Sequence, residues 1–376
     1  MKAKLKLKNK FIPVNKPIIT RQDIYCVKKA LEKGWVSSDG PEVKKFEEKF
    51  SKKINKKYGI CVSNGTTALE IAVKSLNLKK NSEIIIPNFT IISSALAVIK
   101  NNCIPVFVDC DRKTWNMSFD QILKKINKNT KCIIATHIYG YPCEIDKIKS
   151  ICKKKKIILI EDAAEMLGHK YKKEQCGSYG DISTFSFYAN KHITTGEGGM
   201  IITSNKKYML ACKSLRNLSF GEGFERFKHN EVSSNYRLSN IQASLGLSQL
   251  KRLDNIINRK IEIGKRYYNR LKHLNGIFIQ PPSFEDKKNV YWVVGILFKS
   301  LRATTVAKKL LKKNVQTRPF FYPMHKQPIL KKYINKKEKF VNSDFISKYG
   351  LYLPSGISLS NKEVDFICDT IKDILK

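Results

Sequence analysis

Between residues 57 and 205, short aliphatic runs alternate with segments in which apolar positions recur every three or four residues. Runs at 58–63, 83–87, 105–108, 132–136 and 157–161 have strand length and are rich in β-branched side chains. Helical spacing follows Gly65-Thr66-Thr67 through Leu76, and returns over 91–99, 119–126 and 145–152. Buried strands separated by amphipathic helices predict an α/β fold with a largely parallel sheet covered on both faces. Ligands of such sheets bind beyond the carboxyl ends of the strands. Asn64 to Thr67, Thr136-His137, Asp162 and Lys191 all fall there.

The pattern over 182–188 alternates small or polar with aromatic or aliphatic residues, which predicts a half-buried strand ending just before Lys191. Gly196, Gly198 and Gly199 allow a tight return before a strand at 200–203. Beyond residue 236 the spacing changes to long helices, 239–252 and 259–274. Strands near 277–280 and 291–297, a helix over 304–313 and a closing helix over 361–375 complete the chain. The change suggests an N-terminal arm and large domain over 1–245 and a smaller C-terminal α+β domain over 246–376. The lysine-rich tract 331–339 lacks a continuous apolar face and is expected to be an exposed loop.

Composition alters this picture little. A formal charge of +39 on 376 residues suits an anionic partner. Of the 71 basic residues 11 are arginine, and the lysines are spread along the chain without an aromatic-interleaved block. That argues against specific nucleic-acid binding and for capture of an anionic small molecule. No apolar run approaches the roughly 18 residues of a membrane span. Residues 1–10 lack the apolar core of a secretion signal, so a cytoplasmic location is expected. The ten cysteines are scattered without a Cys-x-x-Cys pair, and read as reduced, buried small hydrophobes rather than a metal site or disulfide frame.

Lys191 is the candidate reactive amine. At a strand end against apolar walls an amine loses its proton readily and attacks a carbonyl, forming a Schiff base; a solvated surface lysine is the alternative. Asp162 closes the run 157–161 and suits the protonated ring nitrogen of a pyridine cofactor, or equally the N-cap of a helix over 163–167. Ser63 to Thr67 opens a helix whose free N–H groups and hydroxyls suit a phosphate, although a threonine pair there is commonly a cap. Ser186 adds another hydroxyl. Phosphate cradle, carboxylate and amine are together what pyridoxal phosphate requires.

Five ordered motifs then carry a resemblance: Ser-Asn-Gly-Thr-Thr-Ala-Leu (63–69), Glu-Asp-Ala-Ala-Glu (161–165), Gly-Asp-Ile-Ser-Thr-Phe-Ser-Phe (180–187), Asn-Lys-His-Ile-Thr-Thr-Gly-Glu-Gly-Gly-Met (190–200) and Asn-Tyr-Arg-Leu-Ser-Asn-Ile-Gln-Ala (235–243). From about residue 12 onward the chain resembles the DegT/StrS family of nucleotide-sugar aminotransferases, which are fold-type-I pyridoxal phosphate enzymes. The resemblance implies a mostly parallel seven-stranded sheet in the large domain, and a homodimer with shared active sites. It implies that Lys191 binds the cofactor covalently, Asp162 pairs with the pyridine nitrogen and Glu165 lies near the phenolic oxygen. Gly65, Thr66, Thr67 and Ser186 would hold the phosphate, with Asn235 reaching it from the partner subunit; Asn235 is equally a cap for the next helix. Relatives with histidine in place of this lysine are sugar 3-dehydratases, so Lys191 implies transamination.

The family often stacks an aromatic on the cofactor ring where this chain has Ile91. Dispersion from Ile91 replaces part of that contact, and Phe89 is the candidate to supply the rest. The expected substrates are L-glutamate and a nucleotide-linked 4-keto-6-deoxyhexose, foremost a GDP-linked one, with dTDP- or UDP-linked sugars or a 3-keto sugar as alternatives. Trp35-Val36-Ser37-Ser38, His137-Ile138-Tyr139-Gly140 and residues 317–325 most resemble the branch acting on a GDP-linked sugar. They make Trp35, Ser37, His137, Tyr139, Arg318, Tyr322 and His325 candidate substrate residues, a structural salt bridge being the alternative for Arg318.

Overall fold

The computed structural model describes residues 10–229, 231–284 and 287–376. The reading of residues 1–10 as lacking a secretion signal lies, apart from Lys10, outside the described residues. Strands β1 (Tyr58–Val62), β2 (Glu83–Pro87), β3 (Ile104–Val108), β4 (Thr130–Thr136), β5 (Ile158–Asp162), β6 (Ile182–Ser186) and β7 (Gly199–Thr203) form a seven-stranded sheet. Its order is β1-β7-β6-β5-β4-β2-β3. From β3 to β6 neighbours are parallel, and β7 runs antiparallel to both β6 and β1.

Alternation along the strands sends successive side chains to opposite faces. Ile84 and Ile86 of β2 join one core with Cys132 and Ile134 of β4, while Ile85, Ile133 and Ala135 join the other. Both faces are therefore apolar and helix-covered, as a parallel sheet requires. On one side Phe46 and Phe50, from helix Pro41–Lys53, meet Phe185 and Phe187 with ring centroids about 5 Å apart.

A second sheet, β8 (Ile277–Ile279), β9 (Val294–Phe298), β10 (Arg318–Pro319) and β11 (Gly350–Leu353), is antiparallel in the order β8-β9-β11-β10. It packs on helices Leu253–Leu271 and Asn361–Leu375. Between the two sheets lies an aromatic cluster of Phe89, Trp115, Tyr139, Trp292, Phe320 and Tyr352. The suggested division near residue 246 falls inside helix Asn240–Lys251. Helix Leu253–Leu271 that follows contributes to two cores: Leu253, Ile256 and Ile257 to the large one, Ile263, Tyr267 and Leu271 to the small one.

Several expectations need correction. Helices Arg21–Glu32 and Pro41–Lys53 precede β1, in the stretch read from the sequence only as an N-terminal arm. The helix expected over 91–99 starts only at Ser93, and the one expected from 259 starts at Leu253. No helix occupies 163–167: the Asp162 side chain accepts the Ala164 N–H at 3.1 Å in a local turn. The 331–339 tract is not simply an exposed loop. A 3₁₀ helix, Pro328–Tyr333, buries Leu330, and Tyr333 and Ile334 pack on the core beside Phe340. Isolated apolar anchors suffice there without a continuous stripe.

One crossing fixes how the sheets meet. The Val290 N–H donates to the Gly140 carbonyl at 2.9 Å, and a Cβ on Gly140 would lie 2.6 Å from the Trp292 nitrogen. Gly140 also has φ +93°, which favours glycine. Gly140→Ala should therefore lower unfolding free energy by about 1–3 kcal/mol, read as the urea midpoint of the cofactor-free protein; an unchanged midpoint would refute this account of the crossing.

Candidate active site

The strand ends of β5 and β6 place the chemistry. Asp162 is the last residue of β5 and Ser186 the last of β6. Beyond β6 the chain pairs again, Phe187 N–H to Gly198 O at 2.8 Å, and Lys191 sits in the loop so closed. Its N–H donates to the Tyr188 carbonyl at 2.9 Å. The side chain is 11% exposed, with Nζ 4.0 Å from Glu165 Oε1 and 3.6 Å from the centroid of the Trp292 ring. Burial pulls the Lys191 pKa down, against the pull of Glu165 and Asp162.

The two carboxylates near this amine are sparsely supported. Asp162 is buried and accepts one backbone N–H, from Ala164; burial raises its pKa. Glu165 accepts the Tyr139 N–H at 2.7 Å, and burial raises its pKa to about 7. Glu161, adjacent on β5 and facing the other way, is the opposite case. It accepts from His137 Nε2 at 2.9 Å, Gly177 N at 2.5 Å, Tyr179 N at 2.8 Å, Gly180 N at 2.9 Å and Ser183 Oγ at 3.4 Å. These donors outweigh burial and hold its pKa low.

An anion cradle lies at the same edge. Helix Gly65–Ser75 is capped by Asn64, whose side chain takes the Thr67 N–H at 2.9 Å. The first-turn N–H groups of Gly65 and Thr66 have no intrahelical acceptor. A Cβ on Gly65 would lie 2.8 Å from Ser186 Cβ, so only glycine lets the helix start approach the end of β6 this closely. The Thr66 hydroxyl is 2.8 Å from that of Ser93. Two buried atoms, Thr184 Oγ1 and Asn190 Oδ1, lack a hydrogen-bond partner among the described residues. An amine, a carboxylate with open acceptor capacity and a glycine-lined helix start fit pyridoxal phosphate. Lys191, Asp162, Glu165, Gly65, Thr66 and Ser186 would hold it.

Other expected residues are placed differently. The Thr67 hydroxyl donates to Asn64 O at 2.8 Å and is 3.2 Å from Asn64 N, so it serves the cap rather than a phosphate. His137 is fully buried; its Nδ1 accepts the Cys143 N–H and its Nε2–H donates to Glu161, which leaves no face for a substrate. Tyr139 is also fully buried, its hydroxyl accepting the Phe321 N–H at 3.1 Å. Phe89 packs edge-on against Tyr139 and Phe321 within the aromatic cluster and presents no surface to a cofactor ring. His325 stacks on Phe340 and bonds to Asn88 and Asp344, holding the 3₁₀ turn Met324–Lys326 to the end of β2. Each of these polar groups is already satisfied by the fold.

Ile91 is 45% exposed and Tyr322 54% exposed. Trp35 and Ser37 are exposed, and their carbonyls accept from Asn240. Asn235 is exposed, its backbone bridged to Asn217. Arg318 stands opposite Tyr352 in the β10–β11 register. Both line a cavity of about 130 Å³ with Tyr188, Asn190, Gln316 and Trp292. Arg318 is the charged side chain among the described lining residues.

Trp292 is the functional candidate that sequence reasoning missed. Its indole N–H donates to the Asn190 carbonyl at 2.9 Å and its face covers the Lys191 amine. The available signal was one of only three tryptophans at the edge of an otherwise aliphatic strand.

Known proteins resemble this chain along nearly its whole length. The chain is 38% identical to a GDP-perosamine synthase of Escherichia coli O157:H7 over 368 residues, covering 97% of this chain and 98% of that protein. It is 33% identical to a GDP-perosamine synthase of Vibrio cholerae, covering 96% and 98%. The fold matches that of Helicobacter pylori PseC, an aminotransferase involved in pseudoaminic acid biosynthesis, with a TM-score of 0.92, 22% identity and coverage of 97% and 99%. The model of the DegT/DnrJ/EryC1/StrS aminotransferases matches residues 17–372, and the chain belongs to this family of pyridoxal phosphate-dependent enzymes.

Proposed function

We propose that the protein transfers the amino group of L-glutamate to C4 of GDP-4-keto-6-deoxy-D-mannose, giving GDP-perosamine. The supporting observation is likeness along nearly the whole chain to two proteins named for that product, with Lys191 in place as the amine. The cofactor supplies an electron sink and a carrier for the amino group. Everything else falls to side chains of this chain.

Lys191 holds the proton that must leave the donor carbon and return to the sugar carbon. Its burial makes the neutral amine accessible, and Trp292 limits where Nζ points. Asp162 keeps a ring nitrogen cationic, since a buried carboxylate with one N–H partner gains most from a positive partner. Glu165, raised to about 7, carries or releases a proton near neutral pH. Arg318 is the anchor for a carboxylate or diphosphate at the cavity mouth. Ile91 and Tyr322 offer exposed surface to the cofactor ring and the substrate.

We further infer a homodimer in which Asn235 completes the partner's phosphate site. Exposed Ile24, Tyr25 and Leu31 on helix Arg21–Glu32, with Phe224, Phe227 and Val232 near Asn235, support pairing of two copies.

GDP-, dTDP- and UDP-linked 4-keto-6-deoxy sugars, each incubated with glutamate and read by mass spectrometry, test the substrate. A gain of one amino group on the GDP sugar alone is expected, and amination of only a dTDP or UDP sugar overturns the choice of nucleotide. Lys191→Ala should cost at least about 10²–10⁴-fold in turnover. Mixed dimers of Lys191→Ala with Asn235→Ala test the shared site: each contains one intact site, so activity should reappear on mixing. Continued inactivity, with hybrids verified, counts against Asn235.

A pH profile checks Glu165 independently. Because its folded-state pKa lies above the ordinary 4.5, the folded protein binds the extra proton between about 4.5 and about 7. Stability of the cofactor-free protein therefore falls as pH rises through that window. Glu165→Gln should flatten that segment of the urea-midpoint profile; parallel profiles for the two proteins would contradict the assignment.

A further inference from the structure

Lys260 is the least expected side chain in the interior. It lies on helix Leu253–Leu271, is 3% exposed, and donates from Nζ to the Trp292 carbonyl at 2.9 Å and the Ser355 carbonyl at 2.7 Å. Burial lowers its pKa to about 7. A neutral amine has two N–H groups and an ammonium three, so both carbonyls stay satisfied in either state. Burying a lysine is costly unless its bonds are needed, and a methionine would fill similar volume. What the bonds hold is the clue.

They hold the strap that carries Trp292. One turn further along the same helix, a Cβ on Gly264 would lie 2.2 Å from the Tyr291 ring, so the strap is seated on the helix at two adjacent points. Tyr291 has φ +49°, a conformation that needs such support in a non-glycine residue. Ser355 in turn donates its N–H to Val14 O at 3.0 Å, and both residues line the cavity that contains Trp292. One amine thus ties together three walls of the cavity that contains Trp292, whose ring lies against the Lys191 amine.

We infer that Lys260 is a positioning residue for the reactive amine: by fixing Trp292 it sets the aromatic face on which the Lys191 ammonium rests. The inference rests on Lys191 being the reactive amine. An aromatic face favours a cation above it, so it keeps the Lys191 proton on. Other charged groups facing Lys191 are Glu165 and Asp162, which also favour the cation, and Lys16 and Lys260, which line a small cavity with Lys191 and disfavour it. His192, next in sequence, is held neutral by burial, with its pKa lowered to about 3. Loss of the clasp frees the indole and should lower the Lys191 pKa. Loss of the Lys260 charge alone acts in the opposite sense, because removing a nearby cation raises it.

That difference in sign is the test. In cofactor-free full-length protein, the pH dependence of Lys191 acetylation by acetic anhydride, read at the Lys191 peptide by mass spectrometry, reports its titration without any turnover. Lys260→Met should move the midpoint down by roughly half to one pH unit. Trp292→Leu should do the same, Trp292→Phe less, and the double variant no more than Trp292→Leu alone. If Lys260→Met does not fold, Lys260→Gln keeps a shorter, uncharged group with two N–H donors and should shift the midpoint downward by less. An upward or absent shift, or additive shifts in the double variant, overturns the inference. Because no substrate enters the measurement, failure of the proposed transamination leaves this result readable.

Discussion

The constraint on which the active site depends is that a charge taken out of water must be matched by hydrogen bonds or by an opposite charge. Three carboxylates within five residues, Glu161, Asp162 and Glu165, meet it in different ways. Glu161 is satisfied by a histidine, three backbone N–H groups and a serine, and its pKa stays low. Asp162 and Glu165 receive one N–H each and are driven upward. The saturated group is scaffold: it gathers β4, β5 and the loop at 177–180 into one rigid edge. The unsaturated pair keeps affinity in reserve for a positive partner, and the Lys191 amine is the one at hand.

This distinction also explains what the sequence could and could not show. Strand and helix alternation over 57–205 was legible because each strand is buried on both faces, so hydrophobicity alone marks it. Lys191 and Asp162 were legible as strand-end residues because β5 and β6 stop at or just before them. His137, Tyr139 and His325 were misjudged for one physical reason. A polar residue beside a site looks the same in sequence whether its bonding groups point to the ligand or back into the fold. Each of the three is spent within the chain, on Glu161 and Cys143, on Phe321, and on Asn88 and Asp344. Thr67 differs only in that its partner, Asn64, is local. Trp292 and Lys260 were invisible because their roles arise from contacts spanning about a hundred residues and about thirty.

The surface charge, so prominent in the composition, has little part in this architecture. Most lysines are exposed, and their ion pairs, such as Lys28 with Glu32 or Lys228 with Glu225, are solvent-screened and worth at most about 1 kcal/mol each. What the excess of positive charge does supply is a field that attracts anions from a distance. Any small anionic ligand gains from such a field before it meets a cavity. Specific recognition must then come from fixed donors, and a guanidinium offers a planar fork where a flexible ammonium does not. In a chain that uses lysine almost everywhere, arginine at position 318, held opposite Tyr352 in a strand pair at the cavity lined by Asn190 and Trp292, marks a place where geometry matters more than charge.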